Sequence, residues 1–125
     1  RRDGDAEIFA PFFDWGMPTI DCLRTVCHAC PGQLVIASGG VRHGLDAAKA
    51  IRLGANMVSA AGPMLAHLVA DDGDLDTPKV ENFVAGWKQQ MALALFLTGA
   101  PNLTALGGVE MLYDGDVIPP RTGVL

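Results

Sequence analysis

Basic residues are in short supply: Lys and Arg total 9 against 14 Asp and Glu, for a formal net charge of -5. A surface so balanced repels nucleic-acid backbones and anionic membrane surfaces, so neither is expected as a bulk partner. One local basic spot can still grip a single phosphate. Long hydrophobic runs are absent too. The strongest apolar stretch, residues 91–97, falls far short of the roughly 20 residues that a membrane-spanning helix needs. Cysteine is scarce, and Cys22, Cys27 and Cys30 form an odd, clustered set. That pattern argues against a secreted disulfide framework and for a reducing cytoplasm. The chain opens Arg1-Arg2-Asp3-Gly4-Asp5, with no initiator Met and no apolar stretch behind the arginines. No secretory signal is read there, and the first residue reads as a cut rather than a natural start. What remains is 125 residues, 50% hydrophobic and 18% charged, the composition of one small folded domain.

Residues 8–20 form an aromatic loop leading into a helix, with Thr19 placed as its N-cap and the Pro31-Gly32 pair as its stop. Residues 34–37 are a short, mostly β-branched run, the pattern of a strand buried on both faces. A glycine-rich turn follows, and then residues 45–53 read as a helix with Leu45, Ala48 and Ile51 on one face and Gly54 at its C-terminal end. Residues 57–60 give a second short strand, and Pro63 suits the start of another helix. Beyond an acidic loop at residues 71–76, the longest helix spans residues 78–98. Its Val80, Phe83, Val84, Trp87, Met91, Ala94 and Leu95 mark an apolar stripe, and Gly99 ends it. Asn102 caps one further turn, residues 109–113 read as a short strand, and the rest as an irregular tail.

Two strands with one helix between them make a βαβ unit, in which the strands run parallel. Two or three parallel strands with their helices leave open edges, whereas an entire (β/α)8 barrel takes roughly 250 residues. The expected fold class is therefore α/β, the C-terminal portion of a (β/α)8 TIM barrel, about its last two to three βα units. Residues 1–125 would form one partial barrel domain. A half-barrel that dimerises is the alternative.

The most informative stretch is Ser38-Gly39-Gly40-Val41-Arg42, at the end of one strand and just before a helix. Glycines there let backbone amides converge on an anion, and Arg42 adds a planar donor fork suited to phosphate oxygens. Ala61 and Gly62 repeat the small-residue device at the next strand end, and phosphate sites built from the last two strand-end loops recur in barrels. The competing explanation is that the glycines only make tight turns and Arg42 a surface ion pair. Asp14 and Trp15 can line a pocket mouth or simply pack at a rim, and His43 is more simply a solvated loop histidine. The Cys27-His28-Ala29-Cys30 spacing suits redox or metal chemistry. Zinc, however, takes four ligands and neither His43 nor His67 is paired at ligand spacing. Small buried cysteines on one helix are the simpler expectation.

Four segments together, DWGMPT (14–19), IASGGVRHGLDAAKAIRLGAN (36–56), SAAGPML (59–65) and ALFLTGA (94–100), resemble type 2 isopentenyl-diphosphate isomerase over residues 12–106. That family typically shows WGIPT, SGG[IV]RxGLDxAKAxALGA, an AG loop and MxLTGA in this order. The resemblance implies FMN and Mg2+ as cofactors, NADPH or another reductant to prime the flavin, and a small-molecule diphosphate substrate. It also implies a homo-oligomer when full length. By the same resemblance Gly40, Val41, Arg42, Ala61 and Gly62 would hold the FMN phosphate, with Gly39 shaping the turn. Met17 departs mildly from the family's Ile, Ile20-Asp21-Cys22 stands where small residues are usual, and the tail after Gly107 matches no family motif. The family's His-x-Asn-x-x-Gln-Glu motif, its early flavin-ring loop and its basic diphosphate site are not in this sequence. No catalytic residue is therefore assigned, and the Mg2+ and NADPH sites would lie outside this chain. The stretch alone is expected to be inactive and poorly stable. The rivals are another FMN barrel enzyme, such as a 2-hydroxy-acid oxidase or an IMP dehydrogenase, and a non-catalytic phosphate-binding half-barrel. The two enzyme groups usually carry Asp where this chain has Ser38.

Overall fold

A single 3-10 turn at Ala10–Phe12 precedes helix α1, Thr19–Ala29, in a computed structural model that describes residues 8–68 and 76–120. The α1 N-cap is Pro18, not Thr19. Thr19 is the first helical residue, and its hydroxyl donates instead to the carbonyl of Gly39 at 2.9 Å. The chain then alternates strand and helix: β1 (Ile36–Ala37), α2 (Gly44–Leu53), β2 (Met57–Val58) and α3 (Gly62–Leu68). The long helix α4 (Thr77–Thr98), the short α5 (Leu103–Leu106) and strands β3 (Met111–Tyr113) and β4 (Asp116–Ile118) complete the order. The architecture is α/β.

Strands β1 and β2 pair in parallel, with Ile36 opposite Met57 and Ala37 opposite Val58. Both are shorter than the apolar runs suggest, although bonds from Asn56 N–H to the Val35 carbonyl and from Ser59 N–H to the Ala37 carbonyl, each 2.8 Å, extend the ladder. The expectation of a strand buried on both faces is corrected. Ala37 is buried, but its neighbour Ile36 is 54% exposed and Met57, across the ladder, 55%. Side chains alternate across a strand, and among the described residues only the Ala37–Val58 side receives a cover of helices. The short strand expected at residues 109–113 is present as β3, Met111–Tyr113, but the segment after it is not an irregular tail. β3 and β4 form an antiparallel hairpin. Its turn places Asp114 (φ 52°) and Gly115 (φ 83°) in the left-handed region, as a two-residue turn matched to strand twist requires.

Helix α2 lies at the centre because both of its flanks are small. Ala50 and Leu53 pack with Leu23, Ala37, Ala55 and Ile118, while Ala48 packs with Ala94, Ala100 and Leu106. Leu45, expected on the buried face, is 46% exposed. Arg52 on the same helix is almost fully buried at 4%. Its guanidinium donates to the carbonyls of Val109, Ile118 (2.8 Å) and Pro119 (3.0 Å), so α2 holds both ends of the hairpin.

On α4 the expected stripe faces inward at Ala94 and Leu95, but its Val84 is exposed, as are Leu93, Phe96 and Leu97 outside it. The last turns of this helix are thus apolar on two sides. No helix among the described residues is long and apolar enough to cross a membrane. Gly54, Gly99 and Asn102 end or begin their helices as expected, Gly99 in the left-handed region. None of the three cysteines is buried: Cys22 and Cys27 are half-buried and Cys30 is exposed, because α1 ends at Ala29 and presents its last turn outward.

Of the acidic loop, only Asp76 lies within the described residues. Its carboxylate accepts the Lys79 N–H at 3.1 Å and pairs with the Lys79 ammonium at 2.8 Å, capping α4. The side-chain bond to Lys79, reinforced by the backbone N–H, lowers its pKa. A carboxylate with a lowered folded pKa stabilises fully above its unfolded value, and the contribution is lost as pH falls through the folded one. Asp76→Ala is therefore expected to destabilise α4 at neutral pH. In urea titrations the difference from the parent protein should shrink as pH falls below the ordinary aspartate value of about 3.9.

Candidate functional site

The loop after β1 is shaped by two consecutive left-handed glycines, Gly39 (φ 91°) and Gly40 (φ 71°). Side-chain-bearing residues rarely adopt such values, so the sharp reversal here needs glycine. It buries Val41, 5% exposed, and returns Arg42 to the surface with its side chain 74% exposed. Thr19 pins the reversal from below through its bond to the Gly39 carbonyl. By sequence Thr19 reads as a cap, and nothing local signals this contact with a carbonyl 20 residues away.

His43 is the N-cap of α2, its Nδ1 accepting the Asp46 N–H at 3.2 Å. It is neither a free loop residue nor seen pointing at a ligand site. Asp46, in the first turn and mostly buried, places one carboxylate oxygen 3.1 Å from the Arg42 N–H and 3.4 Å from Arg42 Nε. His43 Nε2 lies 3.6 Å from that same oxygen. Arg42 thus makes the surface ion pair that was the competing explanation for it. Asp46 stands three positions after the cap, where an acidic residue is a common partner for the chain just before a helix.

A cavity of about 210 Å3 opens between α1 and α2, lined by Thr19, Gly39, Gly40, Val41, Arg42 and Lys49 among others. Ala61 and Gly62 do not line it. They follow β2 at the same end of the parallel pair, both exposed, with Gly62 opening α3. Gly62 has no left-handed φ, and a Cβ added to it would meet nothing within 4 Å. Nothing in the folded chain itself requires glycine at that position.

A larger cavity of about 610 Å3 lies at the opposite end of the strands, touched by Cys27, His28, Cys30 and Arg52. Its size does not make it the better site: no residue of the glycine loop lines it, and Arg52 is engaged in holding the hairpin. No group of three or more His, Cys, Asp or Glu side chains among the described residues is arranged to hold a metal ion. Trp15 is 81% exposed and stacks at a tilt on Phe12, ring centroids 6.2 Å apart, with Asp14 exposed beside it. The His67 side chain and residues 71–75 lie outside the described set.

Residues 12–112 match the FMN-dependent dehydrogenase family. The chain belongs to that family. Within this FMN-dependent dehydrogenase stretch, similarity extends to isopentenyl-diphosphate delta-isomerases. The protein of that name from Xanthobacter autotrophicus is 46% identical over 101 residues, covering 80% of this chain and 28% of that protein. The one from Vibrio campbellii is 43% identical over 98 residues, 76% of this chain and 26% of its own length. The one from Cronobacter sakazakii is 37% identical over 105 residues, 84% and 29% respectively. The chain thus spans less than a third of the length of these curated relatives.

Proposed function

We propose that this chain supplies the FMN-phosphate half of an isomerase that interconverts isopentenyl diphosphate and dimethylallyl diphosphate. Membership in an FMN-dependent family and the identity to isopentenyl-diphosphate delta-isomerases support the reaction class. The observation that carries the site is the pair of left-handed glycines at the end of β1 beside an exposed arginine. The open space before Gly62 at the end of the adjacent strand adds to it. A phosphate fits such a cradle: backbone amides approach where no Cβ intervenes, and Arg42 and Lys49 supply positive charge.

In this reading residues 1–125 are one partial domain, the last βα units of a (β/α)8 barrel. The exposed Ile36 and Met57 would then face the barrel interior, with α2 on the outside. Gly39 shapes the turn, while Gly40, Val41 and Arg42, with Ala61 and Gly62, hold the FMN phosphate. Reduced FMN held there would supply acid and base chemistry for an allylic proton shift, without net redox change. Mg2+, the reductant NADPH and the substrate diphosphate are bound outside these residues, and the complete polypeptide forms a homo-oligomer.

The complete polypeptide, given isopentenyl diphosphate, FMN, Mg2+ and a reductant, is expected to form dimethylallyl diphosphate without stoichiometric use of the reductant. Oxidation of lactate with isopentenyl diphosphate left untouched would overturn the proposal in favour of a hydroxy-acid oxidase. Arg42→Glu should weaken FMN binding by about tenfold or more, since it replaces a charge-assisted contact with a repulsive one. Unchanged affinity in a fluorescence titration would remove Arg42 from the site.

A further inference from the structure

The geometry points to Asp46 as a positioning residue that sets Arg42 for phosphate, an inference that rests on the FMN-phosphate function proposed above. Asp46 is mostly buried, 17% exposed, whereas the Arg42 side chain is 74% exposed. One Asp46 oxygen takes the Arg42 backbone N–H at 3.1 Å and faces Nε, the inner nitrogen of the guanidinium, at 3.4 Å. The carboxylate therefore holds the residue at its root and at the neck of its fork. The two terminal nitrogens, Nη1 and Nη2, make no other hydrogen bond among the described residues. They remain available for the end-on, two-point contact that a planar guanidinium makes with phosphate oxygens.

The rest of the loop supports this assignment. An exposed arginine loses much rotamer freedom when it binds, and a partner already engaged at Nε reduces that loss. Asp46 is itself fixed, because its own N–H is held by His43 Nδ1 and its α-carbon lies in the first turn of α2. The ion pair and the phosphate contact are thus compatible, since they use different nitrogens of one side chain.

The test compares FMN with riboflavin, which lacks the phosphate, in equilibrium titrations of the complete polypeptide. Asp46→Asn keeps an acceptor for the Arg42 N–H but removes the charge that holds Nε. It should weaken FMN binding by about fivefold while leaving riboflavin within about twofold. Asp46→Ala, which removes both contacts, should lose more. In an Arg42→Gln background, Asp46→Asn should add nothing, because its effect passes through Arg42. Unchanged or tighter FMN binding in Asp46→Asn would overturn the inference, the tighter result meaning that the carboxylate mainly repels the phosphate. Equal losses for FMN and riboflavin would reduce Asp46 to a helix-capping role. A full effect persisting without Arg42 would also overturn it. If Arg42→Gln itself leaves FMN binding intact, the phosphate function falls with it. If Arg42→Gln weakens FMN binding and Asp46→Asn does not, only the role of Asp46 falls.

Discussion

Replacing Arg52 with methionine is expected to detach the C-terminal hairpin from α2 and to lower stability by about 3 kcal/mol or more. Arg52 is 4% exposed, and its guanidinium donates to three backbone carbonyls, those of Val109, Ile118 and Pro119. Methionine fills a similar volume but offers no donor, so carbonyls withdrawn from water would be left without their donor, at about 1–3 kcal/mol for each one fully buried. Lysine should not rescue the loss, since a single ammonium lacks the planar fork that serves carbonyls on both sides of the hairpin. Hydrogen exchange reads the outcome directly: amides of β3 and β4 should lose protection before those of α4. Undiminished protection in Arg52→Met would mean that Met111, Tyr113 and Ile118, which pack on the core, suffice to hold the hairpin.

The second large effect is expected at Gly44, where α2 meets α4. A Cβ placed there would overlap the Trp87 carbonyl oxygen and come within 2.8 Å of Gln90 Cβ. The Gly44 N–H also donates to Gln90 Oε1 at 2.6 Å. Alanine is the better helix former by about 1 kcal/mol, but the clash is with backbone, which cannot rotate aside. Gly44→Ala should therefore destabilise by about 3 kcal/mol, the upper part of the usual overpacking range. Because Gly44 directly follows the cap residue His43, the same variant should also weaken FMN binding. Gly86→Ala is the control on α4. A Cβ there meets nothing within 4 Å, so propensity alone should leave it neutral or more stable by up to about 1 kcal/mol. If Gly44→Ala matched Gly86→Ala in urea unfolding, the close approach of the two helices would not be real.

What the sequence made legible was local. Gly54 and Gly99 were placed at helix ends and Asn102 at a helix start because capping depends on a residue and its immediate neighbours. The glycine loop was located for the same reason, and Gly39 and Gly40 adopt the left-handed backbone that their pairing suggests. Features set by distant partners were not legible. Arg52 counts as a surface residue in any hydrophobic pattern, yet its acceptors lie 57 to 67 positions away. Thr19 has the right type and place for a cap, but a carbonyl 20 residues on claims its hydroxyl. Gly44 looked like one more turn residue until α4 was seen lying against it. The hairpin was a different kind of miss. Asp114-Gly115 is a strong two-residue turn signal, but the run after it, Asp116–Ile118, is too short to read as a strand from its own residues.

Whether the loop after β1 grips the phosphate of a flavin is decided by comparing FMN and riboflavin affinities in the parent protein and in Arg42→Glu. FMN is expected to bind more tightly than riboflavin in the parent protein. Arg42→Glu should remove about tenfold or more of that advantage, with riboflavin affinity unaltered. An FMN-to-riboflavin ratio that is the same in both proteins would contradict it.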